Sequence, residues 1–541
     1  MLDYLNAIFP VRYTVLGLSS LGLLLAVFSL LVFGEGLAAA LLFLLLVSVG
    51  VFDLLQTRRA LLRNYPIMGH LHFVLAYLQP ATRQDLDASG RQAAPFSRAQ
   101  RALVVQRATA QSEQRPFGTA QAVQAEGYEW LNHSMAPTRL DAHDFRLIIG
   151  TDRAQPYSAS VFNISAMSFG ALSANAILAL NAGAKRGGFA HDSGEGSISS
   201  HHRVHGGDLI WEIGSGYFGC RNDDGTFNAD KFSNQARDPQ VKMIELKLSQ
   251  GAQPGCACVL PAIKVTPEIA AARGVPAGVD CVSPAAHSAF TTPLELLQFV
   301  ARLRDISEGK PTGIKLCIGH PWEWFALVKA MLASGITPDF MVLDGAEGGT
   351  GAAPREFTDH VGAPLEEGLL LVHNTLRGAG LREQIKLGCA GKVTSAFDMA
   401  RLMALGADWC NSARGFMFAL GCIQSQHCHT GQCPTGVATQ DPLRQRSLVV
   451  PDKAQRVYNF HQQTLRALQE LVQAAGLAQP RDITPHHILR RTARHQVKSL
   501  AQLLLTPLPL GALLQGDLSA LPLVYQQHWP LARADSFTLL N

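Results

Sequence analysis

The chain has 541 residues and a formal net charge of +4 at neutral pH. This length allows two or three domains with a large core. So small a net charge in so long a chain does not indicate a nucleic-acid partner, and we expect none. The ten cysteines show no disulfide framework in their spacing, which favours a reducing cytosol.

Two apolar segments begin the chain, and residues 1–60 are predicted to form a membrane hairpin. Thr14–Phe33 contains no charged residue and is long enough to cross a bilayer, whereas residues 37–52, after the turn at residues 34–36, are borderline in length. A cleaved signal peptide is the alternative, because residues 38–40 are three alanines. The length of the first segment and the second segment directly behind it favour the hairpin.

Positive charges flank the hairpin and set its expected orientation. Arg12 precedes it, Arg58, Arg59 and Arg63 follow it, and the turn carries only Glu35. Because basic residues stay on the cytoplasmic side, both ends should face the cytoplasm. The sequence therefore predicts a two-pass protein of the cell inner membrane, in contact with lipid, whose catalytic domain is cytoplasmic.

Residues 61–150 mix arginine, glutamine and proline with short apolar patches. We expect a small irregular leader that packs on the main domain and carries little chemistry. His70 and His72 would be possible metal ligands, although structural or surface histidines are commoner.

From residue 151 to about residue 440, short apolar strands alternate with helical stretches, which predicts an α/β fold, a TIM (β/α)8 barrel. Helices are expected near residues 173–184, 293–304, 322–333 and 395–405. The eight strand candidates are residues 161–166, 188–192, 241–248, 279–282, 312–317, 340–343, 385–389 and 409–412.

Glycines and small polar residues follow six of these predicted strands. Any one such loop is more simply explained as a turn, but six on one face of a barrel favour backbone N–H groups close to a ligand. Strands 7 and 8 of such barrels usually hold a cofactor phosphate. Gly391 and Lys392 after one, and Arg414 and Gly415 after the other, are the candidates.

Two further regions complete the predicted organisation. Residues 197–240 are predicted to be an insertion in the barrel, where His201, His202 and His205 are weak candidates for a metal or anion site. Residues 441–541 are predicted to form a helical C-terminal extension, with helical apolar spacing at residues 452–475. The basic segment at residues 481–494 would lie near anionic lipid or form a solvated face.

A loop at residues 421–436 contains Cys422, Cys428 and Cys433 in the pattern C-x5-C-x4-C, followed at once by Pro434. Three soft sulfur ligands on one glycine-rich loop suit an iron–sulfur cluster, and three ligands suggest a three-iron cluster. Two alternatives remain. The cysteines could form a zinc site together with a neighbouring histidine, or they could be three ordinary buried cysteines.

The loop and its surroundings resemble the cluster loop of glutamate synthases. The resemblance extends to residues 165–170 (SAMSFG), 249–261 (SQGAQPGCACVLP) and 348–354 (GGTGAAP), in the family's order, and covers roughly half of the chain. It implies an FMN-binding barrel and a [3Fe-4S] cluster held by the three cysteines. The implied flavin contacts are Ala166, Met167, Ser168, Gln250, Lys315, Gly348, Gly349, Gly391, Lys392, Arg414 and Gly415.

The resemblance also implies a reaction. Electrons would enter at the cluster, pass to FMN and leave as a hydride to an imine of 2-oxoglutarate. Lys315 matches a family lysine near the flavin and the oxo-acid, although an ion pair within the barrel is the plain alternative. Gln250 and Glu347 would orient polar groups of the substrate.

Two departures from the family bear on the substrate. Residues 1–160 contain no cysteine, so hydrolysis of glutamine by this chain is not expected. Cys256-Ala257-Cys258-Val259 stands where the family has Glu-Gly-Gly-Gln, so the thiols replace a carboxylate and an amide. These two cysteines are either redox-active, metal-binding or incidental.

The sequence therefore predicts a membrane-tethered oxidoreductase that uses an oxo-acid with ammonia or an amine. Its electron donor would be a carrier such as ferredoxin or a membrane carrier. One alternative is a dehydrogenase that passes electrons from a cytosolic substrate to a membrane carrier, and another is an inactive barrel that acts as a membrane scaffold or sensor.

Overall fold

A closed barrel of eight parallel strands forms the centre of the protein, which confirms the predicted TIM barrel. The computed structural model describes residues 10–78, 95–114, 116–119, 121–504 and 507–539. Each strand pairs with the next, and the eighth pairs with the first. The strands are β1 (Phe162–Ile164), β2 (His191–Asp192), β3 (Leu209–Ile213), β4 (Val241–Lys247), β5 (Thr312–Leu316), β6 (Phe340–Asp344), β7 (Lys386–Ala390) and β8 (Trp409–Ser412).

Seven of the eight predicted strands overlap barrel strands, and the prediction at residues 279–282 is wrong. Cys281–Ser283 instead pairs antiparallel with Cys258–Leu260 in a small sheet outside the barrel. The missed strand is β3, which lies inside residues 197–240, so this segment is not only an insertion. Its Glu212 is buried inside the barrel, and a charge in a short apolar run hid the strand pattern.

The helices between the barrel strands begin and end close to the predicted positions. Ser173, Thr292 and Ser395 each accept a backbone N–H bond at a helix start, which satisfies donors that the helix leaves free. From residue 174 to residue 420 the helices are Ala174–Gly187, Ser200–Arg203, Ala229–Ala236, Pro267–Arg273, Pro293–Ile306, Pro321–Ser334, Arg355–His360, Leu365–Gly378, Ala396–Ala404 and Arg414–Leu420.

The segments before and after the barrel pack on it together. Glu129–Leu131 pairs with Ile488–Ala493, which pairs with Gln496–Ser499, so the C-terminal part contains a β-hairpin besides its predicted helices. The strands Arg146–Ile149 and Tyr157–Ser160 form a second hairpin beside the barrel. The outer helices are Ala60–Asn64, Met68–Leu78, Arg98–Ala108, Pro442–Gln445, Val450–Ala474, Leu500–Leu503 and Leu523–His528.

Thr14–Phe33 and Leu37–Leu55 form an antiparallel pair of apolar helices. Their outward side chains are exposed, for example Leu31 at 80% and Leu45 at 62%, which would be costly in water. Both are long and apolar enough to cross a membrane, a property that core helices and signal sequences can share. Residues 1–9 of the predicted hairpin and 79–94 of the predicted leader lie outside the described residues. The other boundaries of the predicted domains stay predictions.

The base of the hairpin is attached to the barrel by polar contacts. The Asn64 amide donates to the carbonyl oxygen of Pro434 at 3.0 Å and to that of Arg444 at 3.2 Å. Arg12 Nη1 lies 3.2 Å from a carboxylate oxygen of Asp441. The hairpin base is therefore bonded to the segment that contains and follows the three-cysteine loop.

The long helix Val450–Ala474 crosses Ala174–Gly187 at a glycine, and this contact yields a stability prediction. A Cβ on Gly183 would lie 2.5 Å from Val457 Cγ1 and 2.9 Å from the Ala454 carbonyl oxygen. Gly183→Ala should lower the free energy of unfolding by about 1–3 kcal/mol, because overpacking outweighs the helix-propensity gain of about 1 kcal/mol. The measurement is the thermal or urea midpoint.

Gly368→Ala is the matched control. Gly368 also lies within a helix, but the new methyl group would be 3.4 Å from its nearest neighbour, Ile318 Cγ1, which is an ordinary contact distance. This variant should be neutral or slightly stabilised. Equal midpoints for the two variants would contradict the tight crossing at Gly183.

Candidate active site

A small cavity of about 50 Å³ at the carboxyl ends of the strands brings together most of the predicted cofactor residues. Met167 and Ser168 do not line it but directly follow Ala166, and Ser168 Oγ accepts the backbone N–H of Gly196 at 3.2 Å. The predicted residues that line the cavity are Ala166, Gln250, Lys315, Gly348, Gly349, Gly391, Lys392, Arg414 and Gly415.

The loops after β6, β7 and β8 approach one another closely at this cavity. A Cβ on Gly349 would lie 2.5 Å from Arg414 Nη1, so the guanidinium packs directly against the glycine backbone. Arg414 donates to the Glu347 carbonyl oxygen at 3.1 Å and lies 4.8 Å above the Phe96 ring. Lys392 has a φ of +53°, a strained conformation of the kind that collects at functional sites.

Lys392 and Arg414 give the cavity a positive wall. In the part of the chain that the structure describes, no carboxylate forms an ion pair with either side chain. Burial lowers the pKa of both groups, and for Lys392 the neighbouring Arg414 adds to the decrease. Two cations without a direct ion-pair partner, beside glycine backbone, fit a bound phosphate.

Lys315 belongs to a buried ionic network inside the barrel, so the ion pair considered as its alternative is present. Its Nζ lies 2.6 Å from Glu212 Oε2 and 3.8 Å from Glu245 Oε1. Burial alone would lower the pKa of Lys315, but the two carboxylates outweigh it and raise that pKa well above its ordinary value. Because Lys315 also lines the cavity, its ammonium group is a fixed positive charge at the site.

Three carboxyl groups lie behind Lys315, on β2, β3 and β4. One oxygen of each of Asp192, Glu212 and Glu245 lies within 4.8 Å of the others. Burial raises the pKa of Asp192 to about 7 and that of Glu245 well above its usual range, and each is raised further by a neighbouring carboxylate. Lys315 supplies a cation between the two glutamates, and the raised pKa values of Asp192 and Glu245 favour their protonated forms.

Gln250 and Glu347 occupy different surroundings. Gln250 lines the small cavity, and its Oε1 accepts from Lys247 Nζ at 3.2 Å. The Glu347 carboxylate accepts the Leu365 backbone N–H at 3.0 Å and so caps the helix Leu365–Gly378. Glu347 lines a neighbouring cleft instead, and the catalytic roles of both residues stay predictions.

That cleft, of about 880 Å³, adjoins the small cavity through Gly391 and Lys392, which line both. Its wall includes Glu366, which with Glu129 holds Arg401 and Arg490 in an ion-pair network. The cleft provides space beside the phosphate-sized cavity for a larger ligand.

The three-cysteine loop follows the helix Arg414–Leu420 directly. Cys433 is buried, and Cys422 and Cys428 are partly buried. Burial raises the pKa of Cys422 to about 12 and also raises that of Cys428. The raised pKa values of these two thiols favour their protonated forms, and metal binding there would have to release the protons.

The loop geometry does not fit a mononuclear zinc site. Tetrahedral zinc with Zn–S bonds near 2.3 Å requires sulfur atoms about 3.8 Å apart. Within the described ranges, the only three potential ligands found within 4.8 Å of one another are carboxylates, not these cysteines. His427 and His429 are exposed. A multi-iron cluster separates its cysteine sulfurs more widely because each binds a different iron atom, so this donor set fits the cluster better.

The loop and the cavity are adjacent. Gly351 lies two residues after the cavity-lining Gly349, and a Cβ built on it would be 3.8 Å from Cys428 Cβ. On the other side, Gln424 donates to the carbonyl oxygen of Phe96, a second cavity residue, at 3.2 Å. Two chain segments thus connect the phosphate-sized cavity with the three-cysteine loop.

Several residues of the site were missed from the sequence. Phe96 belongs to the leader, which was expected to carry little chemistry, and no local pattern marks it. Asp344 lines the cavity and accepts the Gly251 N–H at 2.9 Å. Glu212 and Lys247 lie in the buried network, and their charges within otherwise apolar strands were the available signal.

The other candidate ligands do not converge in the structure. His202 is buried with its Nδ1 bonded to Ser199, while His205 is exposed. His201 Nε2 lies 3.3 Å from Glu268. In the described part of the chain these histidines form no three-ligand group.

Two further predicted candidates have structural partners. His70 Nε2 lies 2.9 Å from the buried carboxylate of Asp53, so it has a structural role, whereas His72 has a ring contact with Phe73. Gln253 donates to Cys258 Sγ, and burial raises the pKa of that thiol to about 11.

The comparisons agree with the resemblance seen in the sequence. The family model "Conserved region in glutamate synthase" matches residues 105–478. The glutamate synthase large subunit-like protein YerD of Bacillus subtilis is 35% identical over 81% of this chain and 90% of its own length. The archaeal glutamate synthase [NADPH] of Methanocaldococcus jannaschii is 35% identical over 58% of each chain.

Among solved structures, a lactate oxidase of Pediococcus acidilactici aligns with a TM-score of 0.40 and 14% identity, over 66% of this chain and 83% of its own. The family assignment depends on the sequence matches. The chain belongs to the glutamate synthase family of flavin-dependent oxidoreductases.

Proposed function

We propose that the chain is an FMN- and iron–sulfur-containing enzyme that reduces an imine of 2-oxoglutarate, or of a related oxo-acid, to the amino acid. The observation that carries the proposal is the adjacency of a cation-lined cavity and a three-cysteine loop. With 2-oxoglutarate as the substrate, the reaction would combine the oxo-acid with ammonium, two electrons and two protons to give glutamate and water. The proposed nitrogen donor is free ammonia or another amine.

The residues around the small cavity would hold FMN by its phosphate. Lys392 and Arg414 supply positive charge, and the glycine backbone at residues 391 and 415 supplies N–H donors without side-chain obstruction. Ala166, Met167 and Ser168 would lie along the ring, and Gly348 and Gly349 would close the opposite side. FMN would supply hydride transfer at this position.

Lys315 and Gln250 would orient the oxo-acid. The ammonium group of Lys315 is fixed by Glu212 at 2.6 Å, and such a fixed charge stabilises a carboxylate without reorganisation. Gln250 accepts a hydrogen bond from Lys247 through its oxygen, which leaves its amide N–H groups as donors. Glu347 would act through its cap on the helix Leu365–Gly378, beside the larger cleft.

Cys422, Cys428 and Cys433 would hold a [3Fe-4S] cluster, through which electrons reach the flavin site from a donor such as ferredoxin or a membrane carrier. The two apolar helices would tether the enzyme to the cell inner membrane with the barrel in the cytoplasm. Their exposed apolar side chains support this proposal.

A second candidate function is favoured by the bonds between the hairpin base and the cluster loop. Asn64 donates to the carbonyl oxygen of Pro434, the residue directly after Cys433. A cluster at this position would lie close to the membrane surface. The same cofactors would then pass electrons from a cytosolic substrate to a membrane carrier such as a quinone.

Arg414→Met should weaken FMN binding about 10- to 100-fold. The substitution removes a charge-assisted bond, worth about 1.5–3 kcal/mol, while a side chain of similar length remains over Phe96. The measurement is quenching of FMN fluorescence on titration of flavin-free protein. Arg355→Met is the control, because that side chain is 92% exposed and should bind FMN normally; an unchanged affinity in Arg414→Met would refute the phosphate site.

Cys428→Ala should remove the iron–sulfur cluster while most of the FMN stays bound, because Lys392 and Arg414, the proposed phosphate-binding residues, lie on other loops. Iron, sulfide and released flavin are measured after anaerobic purification. Cys220→Ala, which removes a buried thiol elsewhere in the barrel, should keep all three. Wild-type iron and sulfide content in Cys428→Ala would contradict the ligand assignment.

The function is tested on protein extracted anaerobically from the membrane fraction with detergent. After reduction, the protein is mixed either with 2-oxoglutarate and ammonium or with a soluble quinone, and the visible spectrum is followed. Reoxidation by the oxo-acid mixture with formation of glutamate is expected. Reoxidation by quinone alone would support the second function, and a colourless protein would refute both.

A further inference from the structure

Two basic side chains from separate parts of the chain border the three-cysteine loop. Lys264 lies in the excursion between β4 and β5, is only 5% exposed, and donates from Nζ to the Cys428 carbonyl oxygen at 2.5 Å. Arg101 lies in the helix Arg98–Ala108, and its Nη1 donates to the Ile423 carbonyl oxygen at 3.5 Å. The loop is thus held from two sides by cations.

The charges of these two residues are not balanced by acidic side chains. Over the residues described by the structure, no aspartate or glutamate lies within 4.0 Å of Lys264 or Arg101, whereas the buried cations Arg304 and Lys315 have such partners. The Arg101 Nε is also buried and has no hydrogen-bond partner there. A buried cation of this kind is costly unless an anion completes its surroundings.

An iron–sulfur cluster would supply that anion. A [3Fe-4S] core with three thiolate ligands has a net charge of about −2 when oxidised and about −3 when reduced, because the sulfides and thiolates outweigh the iron charges. A nearby positive charge stabilises the reduced cluster more than the oxidised cluster. Charge and hydrogen bonding around a cluster are among the factors that set its potential.

We propose that Lys264 and Arg101 are positioning residues that raise the reduction potential of the cluster by balancing its negative charge. The proposal depends on the cluster proposed above and adds the regulation of its potential. Lys264 acts from the Cys428 side of the loop, and Arg101 acts from the Cys422 side. The cluster would thereby accept electrons from a donor more readily than a cluster without neighbouring positive charges would.

The test is a redox titration of the detergent-extracted protein, followed by the electron paramagnetic resonance signal of the oxidised cluster. Lys264→Met and Arg101→Met should retain iron and sulfide but lower the midpoint potential. At a fixed potential the ratio of reduced to oxidised cluster should fall about tenfold for each variant, which for a one-electron couple corresponds to 59 mV. Lys264→Arg should restore the wild-type midpoint.

Lys329→Met is the matched control, because Lys329 also donates to a backbone carbonyl oxygen, that of Ala532, at 2.9 Å. Lys329 packs against Ala532 and Trp529 of the C-terminal segment instead of the loop, so its loss should leave the midpoint unchanged. Lys264→Gln keeps a hydrogen-bond donor without the charge, and should behave like Lys264→Met.

An unchanged midpoint in iron-replete Lys264→Met or Lys264→Gln would overturn the proposal while leaving the cluster assignment intact. Loss of iron from Lys264→Gln would also overturn it, because the lysine would then be needed for assembly. A wild-type protein that contains no iron after anaerobic purification would instead refute the proposed cofactor content.

Discussion

Closure of the barrel between its last and first strands determines where every functional residue lies. The Cys410 N–H donates to the Val161 carbonyl oxygen at 2.9 Å, and the Ser165 N–H donates to the Ser412 carbonyl oxygen at 3.1 Å. Because all eight strands are parallel, their carboxyl ends meet on one face. Closure places the loop after β1 beside those after β6, β7 and β8, so residues about 250 positions apart in sequence share one cavity.

The barrel interior has a second constraint, which is its buried charge. Lys247 and Lys315 are held by Glu195, Glu212 and Glu245. Such a network is a poor source of stability, since desolvation offsets much of the attraction. It is better understood as a means of fixing the Lys315 ammonium group at the cavity, where burial raises the pKa of the neighbouring acids Asp192 and Glu245.

The outer parts of the chain connect the apolar helical hairpin to this site. The hairpin base is bonded to the cluster loop through Asn64, and the leader contributes Phe96 to the cavity and Arg101 to the loop. Segments that look peripheral in the sequence therefore complete the surroundings of both proposed cofactors. Hydrogen bonds and packing thus connect the apolar hairpin directly with the three-cysteine loop.

The sequence determined the barrel, seven of its strands, the hairpin helices and the glycine and lysine positions around the cavity, because periodicity and strand-end glycines are local signals. It did not identify β3, since Glu212 breaks the apolar pattern and only burial among Lys247 and Lys315 makes that charge acceptable. Nor did it place Phe96, Lys264 or Arg101. Their neighbours are distant in sequence, and only the packing of the leader and the excursion after β4 against the three-cysteine loop decides what these side chains contact.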